Sequence, residues 1–155
     1  MKGLLSVLGL LSGVALLYAW GPPGPAEAAW TSADEEAVRE AVLDYVEGVY
    51  EVAPERIDRS VHPSLHKLGF LRRPDGSWGT APMDFEQLRA LAGQWNADGH
   101  VGDDGLKEVT VLDVLDQTAS AKLVAEWGVD YFHLARVDGR WQILNVLWQT
   151  PPADG

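Results

Sequence analysis

The residues best suited to chemistry lie in the last third of the chain. The run from Trp127 to Trp148 reads WGVDYFHLARVDGRWQILNVLW and carries Asp130, Tyr131, His133 and Asn145 among apolar neighbours. Burial would disfavour the charge of a carboxylate inside Val129-Asp130-Tyr131-Phe132, and an imidazole titrates near neutral pH. Asp130 and His133 are therefore candidate proton-transfer residues, with His62 as a third. Tyr131, or Tyr45 farther upstream, is placed to steady a developing oxyanion. If the chemistry is binding only, Trp127 and Trp148 supply flat walls for a small apolar or planar ligand. Tyr45, His62, Tyr131, His133 and Asn145 would then orient it.

Alternation along a strand limits these combinations. Asp130 and His133 are three positions apart and face opposite sides unless a bulge intervenes. One face carries Trp127, Val129, Tyr131 and His133; the other carries Asp130, Phe132, Leu134 and Arg136. The face with Tyr131 and His133 is expected to look into a pocket. A structural reading stands beside each role. Asp130 would pair with a cation on a neighbouring strand or hydrogen-bond at the sheet edge, His133 would be a satisfied half-buried histidine, and His62 would end a helix. The tryptophans would be packing residues, with Trp95 and Trp141 in the core.

Several chemistries lack their motif. His62 and His66 have helical metal-pair spacing, but Pro63 follows the first histidine and keeps it out of the helical region, so no zinc site is expected. Gly99-x-x-Gly102-x-x-Gly105 lies among Asp98, Asp103 and Asp104, which would repel phosphate. Those aspartates lack the ordered spacing of a calcium loop. No strained Gly-x-Ser-x-Gly elbow is present. No cofactor is implied.

Positioning such residues requires one folded domain, which 155 residues at 46% hydrophobic and 23% charged can supply. A net charge of −11 argues against nucleic acid and anionic membrane surfaces as partners. The absence of cysteine removes disulfides and thiol catalysis. At the N-terminus, Lys2 precedes the uncharged run Leu4 to Trp20, then Gly21-Pro22-Pro23, then Ala26-Glu27-Ala28. That is the pattern of a signal peptide over residues 1–28, cut after Ala28, leaving a domain over 29–155 that is periplasmic or secreted. If uncleaved, the same run would be a membrane anchor.

Ser32 and Glu35 form a capping-box pattern ahead of Val38, Ala41, Val42, Tyr45, Val46 and Val49 at helical spacing. Pro54 opens a short helix to Ser60, which His62-Pro63 ends or redirects. Residues from Ser64 suggest a short helix and then a strand toward Leu68–Arg72. Pro74-Asp75-Gly76 is a turn, with a short return strand from Trp78 to Thr80. Asp84 and Gln87 cap a third helix, with Phe85, Leu88, Leu91, Ala92 and Trp95 inward. Asn96 to Gly105 reads as a mobile loop. Four strand-like runs follow, Lys107–Leu115, Ser120–Trp127, Val129–Val137 and Arg140–Gln149. Asp138-Gly139 is a hairpin turn, and Gly128 marks a bend or bulge rather than a tight turn, so the second and third runs form either one long kinked strand or a hairpin. Helices followed by a meander give an α+β fold, with helices on one face of an antiparallel sheet.

This order, closing on Gly139-x-Trp141-x-Ile143, resembles the nuclear transport factor 2-like superfamily and, within it, the bacterial group labelled putative lumazine-binding. The similarity spans about residues 33 to 149. It rests on Val42-x-x-Tyr45, His62-Pro63-x-Leu65, Met83-Asp84, Val109-x-Val111-x-Asp113-Val114, Asp130-Tyr131-x-His133-Leu134-Ala135 and Asn145-Val146-Leu147-Trp148. The resemblance implies a cone-shaped sheet of four to six strands packed against about three N-terminal helices, with a pocket between them. Three functions fit such a scaffold. The first is a small-molecule-binding or accessory domain. The second is a cofactor-free isomerase or dehydratase using His62, Asp130 or His133. The third is a module that forms a homodimer through the outer sheet face, where Thr110, Leu112 and Val114 alternate with Val109 and Val111.

Overall fold

The structure, a computed structural model, describes residues 31–151. The signal-peptide reading over residues 1–28 lies outside that range. Three helices, α1 (Ser32–Tyr50), α2 (Pro54–Ser60) and α3 (Phe85–Ala92), accompany six strands. The strands are β1 (Val61–Arg72), β2 (Trp78–Met83), β3 (Lys107–Val114), β4 (Thr118–Ala125), β5 (Gly128–Val137) and β6 (Arg140–Gln149). All six belong to one open sheet in the order β2-β1-β6-β5-β4-β3. The class is α+β, as expected, but the sheet is mixed, because β1 and β6 run parallel. After α3 the chain crosses to the far edge and fills β3 to β6 inward. The last strand therefore meets β1 running in the same direction.

Helix α1 buries Val38, Ala41, Val42, Tyr45, Val46 and Val49, the predicted stripe. Its cap lies one residue earlier than predicted: the Thr31 hydroxyl accepts from the Asp34 amide at 3.2 Å, and the Asp34 carboxylate accepts from Thr31 N–H at 3.3 Å. A threonine outside the first turn can take the extended cap conformation, which leaves Ser32 free to begin the helix. The Asp84–Gln87 box is formed as predicted.

Two local expectations are corrected. Residues 61–72 are strand throughout, with no helix at Ser64. Pro63 is accommodated because the β1–β6 register is interrupted between Val61 and His66, where no ladder N–H is required of it. Gly128 does not make a bulge. Ala125 pairs with Gly128, so Glu126-Trp127 is a two-residue hairpin loop. Gly128 has φ 136°, and a Cβ there would lie 2.0 Å from the Gln149 carbonyl oxygen, so only glycine fits. At the next hairpin Asp138 and Gly139 both take positive φ, the geometry that the Asp-Gly pair predicts.

The helices cover one face of the sheet. Asp130, Phe132 and Leu134 of β5, Leu65 and Lys67 of β1, and Ile143 and Val146 of β6 are buried against them. The Asn96–Gly105 segment, expected to be a free loop, is tied down. Asn96 donates to the carbonyls of Tyr50 and Val101 at 2.7 and 2.9 Å and accepts from Val101 N–H at 2.8 Å. The Tyr50 hydroxyl donates to the Leu106 carbonyl at 2.7 Å and accepts from the Glu126 amide at 2.8 Å.

Candidate functional site

A cavity of about 70 Å³ lies between the helices and the sheet. Its floor is buried and consists of Tyr45 and Val49 from α1, Lys67 from β1 and Leu88 from α3. The partly exposed Met83, Leu91, Trp95, Trp127 and Trp148 make the upper walls. Wider depressions elsewhere, up to about 520 Å³, are open and are lined by loop or strand-surface residues such as His100, Asp104 and Glu126.

The walls are an aromatic lattice. Trp127 meets Tyr45, Tyr50 and Trp95 edge-on, at centroid separations of 6.2, 5.4 and 5.4 Å. Trp95 stacks on Tyr50 at 5.9 Å, and Phe132 packs edge-on against Tyr45 at 5.1 Å. Trp148 lies over Gly69 on the parallel partner strand. Its indole N–H is buried and has no hydrogen-bond partner among the described residues.

A buried polar cluster closes the inner end. Lys67 is 5% exposed, and Asp130 and Tyr45 are fully buried. The Lys67 ammonium donates to the Tyr45 hydroxyl and lies 3.5 Å from Asp130 Oδ1. The Tyr45 hydroxyl reaches the same oxygen at 3.4 Å, and Trp127 Nε1 donates to Asp130 Oδ2 at 2.5 Å. Lys67 Nζ also lies 5.0 Å from the Tyr45 ring centre and 5.3 Å from that of Trp148, close enough for both π faces to attract it. Burial pushes the Lys67 ammonium below its ordinary range, against the attraction of Asp130. Burial likewise pushes the Asp130 carboxyl up, while Lys67, Trp127 and Tyr45 hold it down. The Tyr45 hydroxyl is raised well above its ordinary value by burial and then by the Asp130 charge. This group can donate to, or exchange a proton with, whatever polar end enters an otherwise apolar hollow.

The chain matches, over residues 33–149, the family described as "Putative lumazine-binding". It belongs to that family. Comparison with curated proteins gives no match. Among solved structures, it is similar to an NTF2-like protein of unknown function from Shewanella baltica, with 18% identity and a TM-score of 0.64, covering 80% of this chain and 99% of that one. It is also similar to a domain of unknown function with a cystatin-like fold from Nostoc punctiforme (16% identity, 81% and 82% coverage, TM-score 0.55). A third is a putative scytalone dehydratase from Novosphingobium aromaticivorans (12% identity, 77% and 85% coverage, TM-score 0.53). At these identities the likeness establishes the NTF2-like fold and nothing about activity.

In this member of the putative lumazine-binding family the predicted site residues divide. Tyr45, Trp127 and Trp148 line the cavity, and Asp130 lies directly behind it. Tyr131, His133 and Asn145 do not. Tyr131 is 49% exposed, and His133 and Asn145 pair across β5 and β6 on the face turned from the helices. The predicted alternation holds, but its assignment to pocket and solvent is reversed: the face of Asp130, Phe132 and Leu134 is the inner one. Trp127 reaches that inner side because it sits in the hairpin loop, where strand alternation no longer applies. His62 sits in the interrupted part of β1, its Nδ1 accepting from Ser64 N–H at 3.1 Å, and does not line the cavity. His62, Asp130 and His133 therefore do not form one site.

Trp95, read as core, is a cavity wall. Lys67 belongs to no motif. Its signal was the alternation Leu65, Lys67, Gly69, which places a lysine on an apolar face once the segment is read as strand. Asp130 does have a cation, as its structural reading required, but from β1, with β6 between them. Among the described residues no group of three or more acidic or histidine side chains converges as metal ligands.

Proposed function

We propose that this protein binds a small molecule in the helix–sheet cavity, holding its apolar body between tryptophans and its acceptor group against Lys67 and Tyr45. The observation that carries this reading is a buried lysine, tyrosine and aspartate grouped at the inner end of a hollow that is otherwise aromatic and aliphatic. Polar groups inside an apolar site are costly unless they are satisfied, and a ligand acceptor would add a partner to the Lys67 ammonium. An apolar hollow of roughly 150 Å³ takes up benzene. At about 70 Å³ the enclosed part suits a small ligand, or one end of a larger one lying among Trp95, Trp127 and Leu91. The family description names lumazine, whose planar rings and carbonyl acceptors make it the first compound to titrate.

Tryptophan fluorescence tests the reading, since Trp95, Trp127 and Trp148 all line the cavity. Lumazine and a panel of small carbonyl compounds should produce a saturable change that Lys67→Met weakens. Native mass spectrometry of protein purified from its host should show a retained molecule. Absence of both signals would remove ligand binding from consideration.

A second reading is supported by the convergence of three titratable groups. In a proton-transfer enzyme, Asp130 or Lys67 would move the proton and Tyr45 would stabilise the oxyanion. Exchange of α-protons of a bound ketone in heavy water, abolished by Asp130→Asn, distinguishes it from simple binding.

The N-terminal pattern of Lys2, the apolar run to Trp20 and Ala26-Glu27-Ala28 supports export, so we place the working domain in the periplasm or outside the cell. Self-association is supported by the outer sheet face, where Leu68, Leu147 and Tyr131 are in register on adjacent strands, Tyr131 and Leu147 well exposed. The predicted dimer strand β3 is less suited. Its register shifts between Val111 and Asp113, so Leu112 is exposed while Val114 turns into the core.

A further inference from the structure

The amine of Lys67 has surroundings that none of the other described lysines shares. Lys107 Nζ is held by Glu47 at 2.8 Å in a partly exposed ion pair. Lys122 is opposite Tyr131 on the outer face of the sheet. Lys67 is buried in the cavity floor, with a tyrosine hydroxyl and a carboxylate at its nitrogen and apolar walls above it. We infer that Lys67 captures a small apolar aldehyde or ketone covalently, its amine condensing with the carbonyl to an imine while Asp130 and Tyr45 handle the protons. This inference rests on the cavity being the ligand site and specifies the ligand's reactive group.

The geometry supplies each requirement of the step. Asp130 Oδ1 accepts a proton from the ammonium and leaves the nitrogen lone pair free. The lone pair attacks the carbonyl carbon; a C–N bond forms and the C=O π pair moves to oxygen. The Tyr45 hydroxyl, within reach of both Lys67 Nζ and Asp130 Oδ1, gives its proton to that oxygen as charge develops and takes one back from the adduct nitrogen, leaving a neutral carbinolamine. The proton held by Asp130 then goes to the carbinolamine hydroxyl, the C–O bond breaks and water departs. Tyr45 retains its proton overall. In balance, one ammonium and one carbonyl give one protonated imine and one water, with Asp130 again a carboxylate beside the new cation. Burial lowers the proton affinity of Lys67 and so raises the share of free amine available for attack. The small volume and apolar lining select a short carbon chain, and Trp148 and Tyr45 present π faces to the iminium as they do to the ammonium.

Reductive trapping tests this on the full-length chain. The protein is incubated at neutral pH with butanal and cyanoborohydride, and each lysine is scored by peptide mapping for the gain of one butyl group. Lys67 should be modified at least about tenfold faster than Lys107 or Lys122, because burial raises its share of free amine. Adding 1-butanol, which fills the cavity but cannot condense, should slow modification at Lys67 and leave Lys122 unchanged. If Lys67 stays unmodified while 1-butanol still changes tryptophan fluorescence saturably, capture is wrong and the binding reading stands. If neither compound produces a signal at the cavity, both readings fall together. Because modification is read in the unmutated protein, the outcome does not depend on any variant folding.

Discussion

Gly69 and Trp148 are parallel-strand partners, and the indole of one occupies the space where the other would carry a side chain. A Cβ at position 69 would lie 2.3 Å from Trp148 Cε2 and Nε1. One wall of the cavity therefore depends on a missing methyl group.

Gly69→Ala should swing the Trp148 indole off the strand and into or away from the hollow. Overpacking of this kind costs roughly 1–3 kcal/mol. Urea unfolding should show that loss together with a changed tryptophan emission; an unaltered spectrum and midpoint would contradict the close approach.

Lys67 and Asp130 should behave as a coupled unit. Removing either partner strands a buried charge, so Lys67→Met and Asp130→Asn should each cost about 3 kcal/mol, and the double variant much less than the sum. Additive single effects in denaturant titrations would mean that the two side chains do not interact.

The same pair sets a pH dependence. Asp130 is held above its ordinary value, so the folded chain keeps a proton that the unfolded chain releases. Its contribution to stability is fully present below the unfolded value and is lost as pH rises through the folded one. Lys67 is held below its ordinary value, so the unfolded chain keeps its proton longer, and stability rises with pH up to that ordinary value. Between these windows the pair is least favourable. The double variant should therefore compare best with the parent near neutral pH and lose both slopes. A constant difference between the two proteins from acid to alkaline pH would refute this.

Much of this arrangement could be read from local pattern. The α1 stripe, the Asp84 cap and the Asp138-Gly139 hairpin follow from spacing and turn chemistry, because each is decided by residues close in sequence. What spacing could not supply was which side of β5 faces inward. Asp130-Phe132-Leu134 and Val129-Tyr131-His133 are both plausible inner faces, and the choice depends on what α1 and β1 bring to meet them. A lysine two strands away makes the aspartate face the buried one. The helical reading near Ser64 failed for a related reason: His62-Pro63 looks like a terminator, yet a break in pairing with a distant strand accommodates it.

Asn96 should matter more than a loop asparagine ordinarily does. Its three hydrogen bonds join the end of α1 to the segment after α3 and hold Trp95 against Tyr50. Asn96→Ala should cost about 1–3 kcal/mol by leaving backbone groups unpaired. Hydrogen exchange should show faster opening of residues 96–105, and unchanged protection there would argue against this tether.

Leu147→Asp tests self-association through the outer face. The position is 46% exposed and turned away from the cavity, so the change should leave fluorescence titrations intact. Sedimentation should show the parent as a dimer and the variant as a monomer; a monomeric parent would remove this surface as an interface.

The parallel contact between β1 and β6 has a kinetic implication. Val61 is matched with Ile143 and Phe70 with Gln149, so the first strand of the sheet waits for the last one made. Such distant pairing is slow to establish, and it cannot form before β6 has been made. Until then the β1–β2 hairpin is orphaned, with Lys67 in water and far from Asp130. The chamber floor, which needs Lys67 beside Asp130, is closed only when that pairing is made.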